Sequence, residues 1–281
     1  MRLAVVLLAA APIVAQAAAP RWLANGDVLD AATGQSVARL EGKGHGQAAW
    51  LAVDQYASGS LVVDLAAGEV LAPMGDALVL SDLAGRERWR AEVAVGAPGE
   101  GWPPPRFVGD RVVAILAGGA LVGLDRRDGH VVWRRATDGM RLDVDGGLAF
   151  VSNLRASELG FELTALAAEN GAEAFRVALP GPVDRLAAAS HGIAVAAAGQ
   201  LVVVDRTGPE LFRITTPVVD VAAGTRDWFV LTGKELAAFD RSGERRFGIP
   251  AAASGIDRCR FVRSASGALL LLHYCRMSDS G

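Results

Sequence analysis

The chain has 281 residues, 51% hydrophobic and 21% charged, which is ample apolar material for a packed core. Its formal net charge is −3 and lysine occurs only at Lys43 and Lys234, so no basic footprint for nucleic acid is present.

The N-terminus has the three-part layout of a secretory signal peptide. Met1-Arg2 supplies a positive charge, Leu3 to Ala15 is apolar, and Ala15-Gln16-Ala17 has the small-x-small form of a cleavage site. The apolar core falls short of the roughly 18–20 residues a membrane-spanning helix needs. The expectation is cleavage after Ala17, a mature domain of residues 18–281 in the periplasm or outside the cell, and no transmembrane segment thereafter.

Downstream, one pattern recurs: an apolar strand, Asp in most copies, a short gap, Gly, and an aromatic four residues later. Gly85 is followed by Trp89, Gly129 by Trp133, Gly171 by Phe175, Gly208 by Phe212 and Gly243 by Phe247. An earlier copy, Asp27 to Gly34, keeps the turn but has Ala38 at the aromatic position. From Gly85 onward the glycines are 44, 42, 37 and 35 residues apart. A period of about 40 residues, with short strands in each unit, is a solenoid or propeller signature. Asp and Gly mark a tight hairpin, with Gly supplying positive φ and Asp bonding the turn backbone. Four residues is an even step, so the aromatic is expected on a fixed face of the returning strand. Arg90, Arg134, Arg176 and Arg213, one residue further on, fall on the opposite, solvated face. Trp89, Trp133, Phe175, Phe212 and Phe247 are therefore the expected blade anchors.

The run Leu121-Val122-Gly123-Leu124-Asp125-Arg126-Arg127-Asp128-Gly129-His130-Val131-Val132-Trp133 resembles the repeat of the pyrroloquinoline-quinone (PQQ)-like propellers, a family that includes quinoprotein dehydrogenases and BamB-type outer-membrane assembly lipoproteins. The resemblance spans roughly Gly26 to Phe247. It implies an all-β fold, a single propeller of four-stranded antiparallel blades around a channel; it does not imply the cofactor. Five internal units plus one blade closed by pairing Trp22–Arg39 with the C-terminal hairpin give six blades. The interval Gly34 to Gly85, 51 residues, holds an additional turn at Leu61–Gly68. It is read as one blade with an added hairpin or loop, and seven blades stays the alternative.

Candidate chemistry is sparse. Cys259 and Cys275 are placed symmetrically about Gly267 and, in an exported chain, predict a disulfide across one hairpin. Trp102 and Arg106 sit on the stiff Pro103-Pro104-Pro105 loop, where a binding contact is expected. Asp143, Asp145 and Glu158 are the oxygen donors a metal-dependent hydrolase would draw on. His45, His130, His191 and His273 are scattered. No Gly-x-Ser-x-Gly elbow, His-Glu-x-x-His or phosphate loop occurs. No catalytic residue, metal ligand or cofactor is assigned. The expectation is a non-catalytic binding or scaffolding protein of the cell envelope, partnered by another envelope protein, with a role in outer-membrane protein assembly as one example. The alternative is a small-molecule enzyme on the channel, a lactonase-like hydrolase or, behind it, a PQQ-dependent dehydrogenase.

Overall fold

Every regular element among the described residues is a β-strand, as short apolar runs punctuated by glycine turns predict. The computed structural model describes residues 21–24, 27–30, 36–39, 62–64, 67–74, 76–82, 84–95, 103–153, 160–224, 226–250, 259–263 and 269–273; the first three and last two segments are described as backbone. They fall in two compact units, one of Val14–Pro182 and the other carrying Val183–Gly281.

The first unit opens with a three-stranded sheet of β1 (Arg21–Ala24), β2 (Asp27–Asp30) and β3 (Ser36–Arg39). Three four-stranded antiparallel sheets follow. The first contains β4 (Val62–Asp64), β5 (Glu69–Met74), β6 (Ala77–Asp82) and β7 (Glu87–Ala91). The second contains β8 (Arg106–Val108), β9 (Arg111–Leu116), β10 (Ala120–Asp125) and β11 (Val131–Ala136). The third contains β12 (Gly139–Asp145), β13 (Leu148–Asn153), β14 (Phe161–Ala167) and β15 (Glu173–Leu179). The second unit has two more such sheets. One is β16 (Val183–Ala189), β17 (Gly192–Ala197), β18 (Gln200–Val204) and β19 (Glu210–Ile214). The other is β20 (Val218–Ala223), β21 (Trp228–Thr232), β22 (Glu235–Phe239) and β23 (Arg245–Pro250). A hairpin of β24 (Cys259–Arg263) and β25 (Leu269–His273) ends the described chain. In each four-stranded sheet the strands lie side by side in chain order, the meander that short hairpin turns enforce.

Both faces of the middle strands are buried, which explains their unbroken apolar sequence. In β9 and β10, alternate residues serve two cores. Val112, Ala114, Leu116, Ala120, Val122 and Leu124 pack against Leu71, Leu78, Leu80 and Trp89 of the preceding sheet. Val113, Ile115 and Leu121 pack with Trp133 against Leu142, Ala149, Val151 and Leu166 of the following one. In the second unit Ala194, Leu201 and Val203 meet Val221, Trp228 and Val230 in the same way. Each fully buried aliphatic or aromatic side chain contributes roughly 1.5–3 kcal/mol of transfer free energy, so packing between sheets is a substantial part of what holds them.

Two expectations change here. The turn at Leu61–Gly68 is no addition: its described strands are the first hairpin of an ordinary four-stranded sheet, β4 pairing β5. Cys259 does not lie opposite Cys275 in the way symmetry about Gly267 predicts. The register pairs Cys259 with His273 and Arg263 with Leu269, so the hairpin is centred one residue earlier. Cys275 itself, like Gly34, Trp102 and Glu158, lies outside the described residues.

Candidate binding groove

The turn that ends β6, β10, β14, β18 or β22 is built as the repeat predicts. Gly85, Gly129, Gly171, Gly208 and Gly243 all take positive φ. Asp82 Oδ1 accepts hydrogen bonds from the backbone N–H groups of Ala84 and Arg86, Asp205 Oδ1 from Thr207, and Asp240 Oδ1 from Ser242 and Glu244. Asp82 is held below the ordinary carboxylate range chiefly by the Arg86 N–H. The Thr207 hydroxyl does the same to Asp205, and the Ser242 hydroxyl to Asp240. In the β14–β15 turn Ala167 replaces the Asp, and Asn170 Oδ1 accepts from Ala172 N–H instead.

Three of the anchor rings, Trp89, Trp133 and Phe212, reach from their own sheet to the glycine turn of the next. The Trp89 indole covers Gly129, where an added Cβ would stand 2.5 Å from the ring, and its Nε1 donates to the Arg126 carbonyl at 2.8 Å. Trp133 covers Gly171 and donates to the Ala168 carbonyl at 2.8 Å. Phe212 covers Gly243 without a polar contact. Glycine at these turns thus provides both positive φ and the bare surface on which a ring lies flat. Phe175 is half-buried, its centroid 6.3 Å from Phe150 of its own sheet. Phe247 is 38% exposed and lies 6.3 Å from Phe229. The two tryptophans are therefore the buried anchors, and Phe247 is a surface ring.

A β-bulge precedes every anchor. In the register Leu80 faces Trp89 but Ser81 faces Glu87, so Arg88 is extra. The same shift leaves out Val132, Ala174, Leu211 and Arg246, and Val37 in the N-terminal sheet. Residues three apart on an unbulged strand point to opposite faces; the bulge brings them to one face. Glu87 and Arg90 consequently pair at 2.7 Å, Glu173 and Arg176 at 2.7 Å, and Glu210 and Arg213 at 2.6 Å. The arginines lie opposite the ring as predicted; their glutamate partners come from the bulge.

Between β11 and the β14–β15 pair runs a groove of about 380 Å³. Arg135, Thr137 and Asp138 line one wall, and Glu162, Glu173 and Arg176 the other. Arg176 bridges Glu162 and Glu173, and Arg135 donates to the Gly171 carbonyl at 2.7 Å. The walls are polar and oppositely charged at close range, suited to a polar chain with hydrogen-bonding groups of both kinds. They offer no nucleophile beside a base.

Other predicted residues are dispersed. Arg106, on the first strand of its sheet, makes an ion pair with Asp143 on β12 at 3.4 Å. Asp143 and Asp145 lie within β12, not in a turn before β13. Among the described residues no group of three or more His, Cys, Asp or Glu is arranged to hold a metal ion. His130 is exposed and 2.6 Å from Asp128, whereas His191 is buried with its ring 4.5 Å from Trp228. Sequence reasoning overlooked Arg126, which ties two sheets together: it pairs with Asp64 at 2.6 Å and Glu69 at 2.7 Å and lies 4.4 Å from the Phe107 ring centroid. Burial opposes its charge, but the hydrogen bonds it donates to Asp64 and Glu69 outweigh it and the guanidinium is held above its usual value. Its only signal was the Asp-Arg pair at three turns.

Repeated four-stranded antiparallel sheets packed face to face define the β-propeller class of repeat proteins. Residues 24–154 match the family described as outer membrane protein assembly factor BamB. Among solved structures, BamB from Moraxella catarrhalis is 18% identical, covering 79% of this chain and 84% of its own, with a TM-score of 0.52. The computationally designed Ika8 protein is 13% identical over 88% of this chain and 77% of its own, with a TM-score of 0.62. KlHsv2 with loop 6CD replaced by a Gly-Ser linker is 12% identical over 84% and 78%, with a TM-score of 0.61. At these identities the likeness is one of fold. A search of curated proteins gives no match.

Proposed function

We propose that this chain is a non-catalytic propeller of the cell envelope that binds or scaffolds another protein, with outer-membrane protein assembly as the setting its BamB-like repeats favour. The observation that carries the reading is the match of residues 24–154 to a family described as an assembly factor. The groove supports it, since its ionic walls suit a polypeptide better than a small substrate needing a buried reactive group. Export fits the Met1–Ala17 pattern, and no helix among the described residues is long and apolar enough to cross a membrane. The proposed ring has six blades, β24–β25 extending the sheet of β1–β3, with Cys259 and Cys275 joined. Trp102 and Arg106 are proposed as part of the binding surface.

The test is expression of the full chain with a C-terminal tag in a Gram-negative host. Intact mass of periplasmic protein is expected to begin at Ala18, and affinity capture from envelope extract is expected to retain a stoichiometric protein. An uncleaved cytosolic chain refutes export. A tightly held small molecule or metal in native mass spectrometry, with no protein partner, moves the reading to the channel enzyme.

A further inference from the structure

The outer strand of a blade is an edge, with a row of backbone N–H and C=O groups facing away from the sheet. Charged side chains are one way natural proteins blunt such edges. Three outer strands here use the same device: Glu87–Arg90 on β7, Glu173–Arg176 on β15 and Glu210–Arg213 on β19, all on the face created by the bulge.

Strand β11 breaks the pattern. It ends its sheet, and the bulge is in place, with Val131 opposite Leu124 and Arg134 opposite Val122. Val131 and Arg134 therefore share a face, as each Glu and Arg do elsewhere. Valine, however, stands where β7, β15 and β19 have glutamate. Val131 is 45% exposed and Val132 38% exposed, two of the few large apolar side chains on the described surface. Among the described residues Arg134 has no ion pair or hydrogen bond, whereas Arg90, Arg176 and Arg213 each hold a carboxylate of their own strand. One substitution in the repeat thus removes the protective carboxylate, puts an exposed valine beside the exposed bulge residue Val132, and leaves a guanidinium without its carboxylate.

We infer that the free edge of β11 is a docking strand for an extended protein segment that carries a carboxylate beside apolar residues. The segment adds to the sheet by main-chain hydrogen bonds, its apolar side chains cover Val131 and Val132, and its Asp or Glu pairs with Arg134 where glutamate serves in the sister strands. Charge complementarity selects this occupant, because the guanidinium lacks the carboxylate that Arg90, Arg176 and Arg213 each hold. The inference rests on the protein-binding reading above and specifies its partner chemistry.

The test uses the purified full chain and a fluorescent peptide alternating valine and glutamate, with a valine–glutamine peptide as control. Binding is expected for the acidic peptide, weaker by about tenfold for the neutral one, the factor expected of one charge-assisted hydrogen bond. Val131→Glu restores the sister pattern and is expected to preserve the fold while abolishing binding. Arg134→Gln is expected to reduce the acidic peptide to the level of the neutral one. The mirror variant Glu87→Val on β7 checks sufficiency, since it creates a second bare edge and is expected to add a binding site. Equal binding by wild type and Val131→Glu overturns the inference, as does indifference to peptide charge. A wild-type dimer that Val131→Glu dissolves in sedimentation overturns it too, since the occupant is then a second copy. Capture from envelope extract separates the two claims: a partner retained equally by wild type and Val131→Glu leaves the scaffold reading standing and removes this edge from it.

Discussion

A methyl group at Gly123 has nowhere to go. The Trp133 indole lies across that position in the adjacent strand, and an added Cβ would overlap its ring atoms. The ring continues onto Gly171 of the next sheet, so one tryptophan requires glycine at two places. Trp133→Ala is expected to cost about 3–5 kcal/mol by removing a ring that is 92% buried. Gly123→Ala is expected to cost roughly 1–3 kcal/mol as an overpacked site, and much less when Trp133 is already alanine. Urea melts of the two single variants and the double variant measure that coupling, and additive losses would mean the indole is not the obstacle. Arg134→Ala, on the exposed face of the same strand, is expected to change stability by under about 0.5 kcal/mol. A large loss at Arg134 and a small one at Trp133 would reverse the assignment of faces.

At the scale of the strand pair, the turn and the bulge behave as one device. The Asp or Asn side chain ties the turn, the glycine reverses the chain, and the bulge rotates the first residues of the returning strand. The turn was legible because its chemistry is specific: Asp accepts from backbone N–H groups and Gly tolerates positive φ. The bulge was not. Its extra residues are Arg88, Val132, Ala174, Leu211 and Arg246, which share no side-chain property, because a bulge is a backbone event. Adjacency put ring and arginine on opposite faces, but the bulge lies between glycine and ring, so the step of four does not by itself set the ring's face, and the glutamate that the bulge delivers to the arginine went unread. Phe247 shows a second limit: its offset matches Trp89, yet its ring is exposed, since offset fixes direction and not what lies there. The turns also set an acid limit. Asp82, Asp205 and Asp240 have pKa values lowered on folding. A carboxylate with a depressed folded value contributes stability above its unfolded pKa, about 3.9, and loses it as pH falls through the folded one. Stability is therefore expected to drop below about pH 4. An Asp82→Asn/Asp205→Asn/Asp240→Asn variant is expected to show a shallower drop in acid melts; an unchanged slope would place the acid sensitivity elsewhere.

At the scale of the whole molecule the proposed ring depends on the two ends of the chain. The bulge of the N-terminal sheet lies in β3, as it lies in the outer strand of the other sheets, so β3 matches an outer strand. At the other end β24 packs beside β20, as β12 packs beside β8, which is the first-strand position of a blade. The proposal that β24–β25 extends the sheet of β1–β3 rests on β24 holding a first-strand position and β3 an outer-strand position. It also removes two exposed sheet edges, a standing risk in any open propeller. A Cys259–Cys275 bridge would close a loop of about 16 residues and stabilise the tail by about 3 kcal/mol in the chain-entropy model. Cys259 faces His273, so the register itself does not set the two cysteines directly opposite. Reduction, or Cys275→Ser, is expected to open the C-terminal hairpin and then loosen the N-terminal sheet before the interior blades melt. Hydrogen exchange followed by mass spectrometry reads this directly. Val28–Leu29 and Leu269–Leu272 are expected to lose protection together, while Leu121–Leu124, buried on both faces, retains it. If the two ends exchange independently, they belong to different sheets, and the six-blade ring is replaced by one in which each terminus completes its own blade.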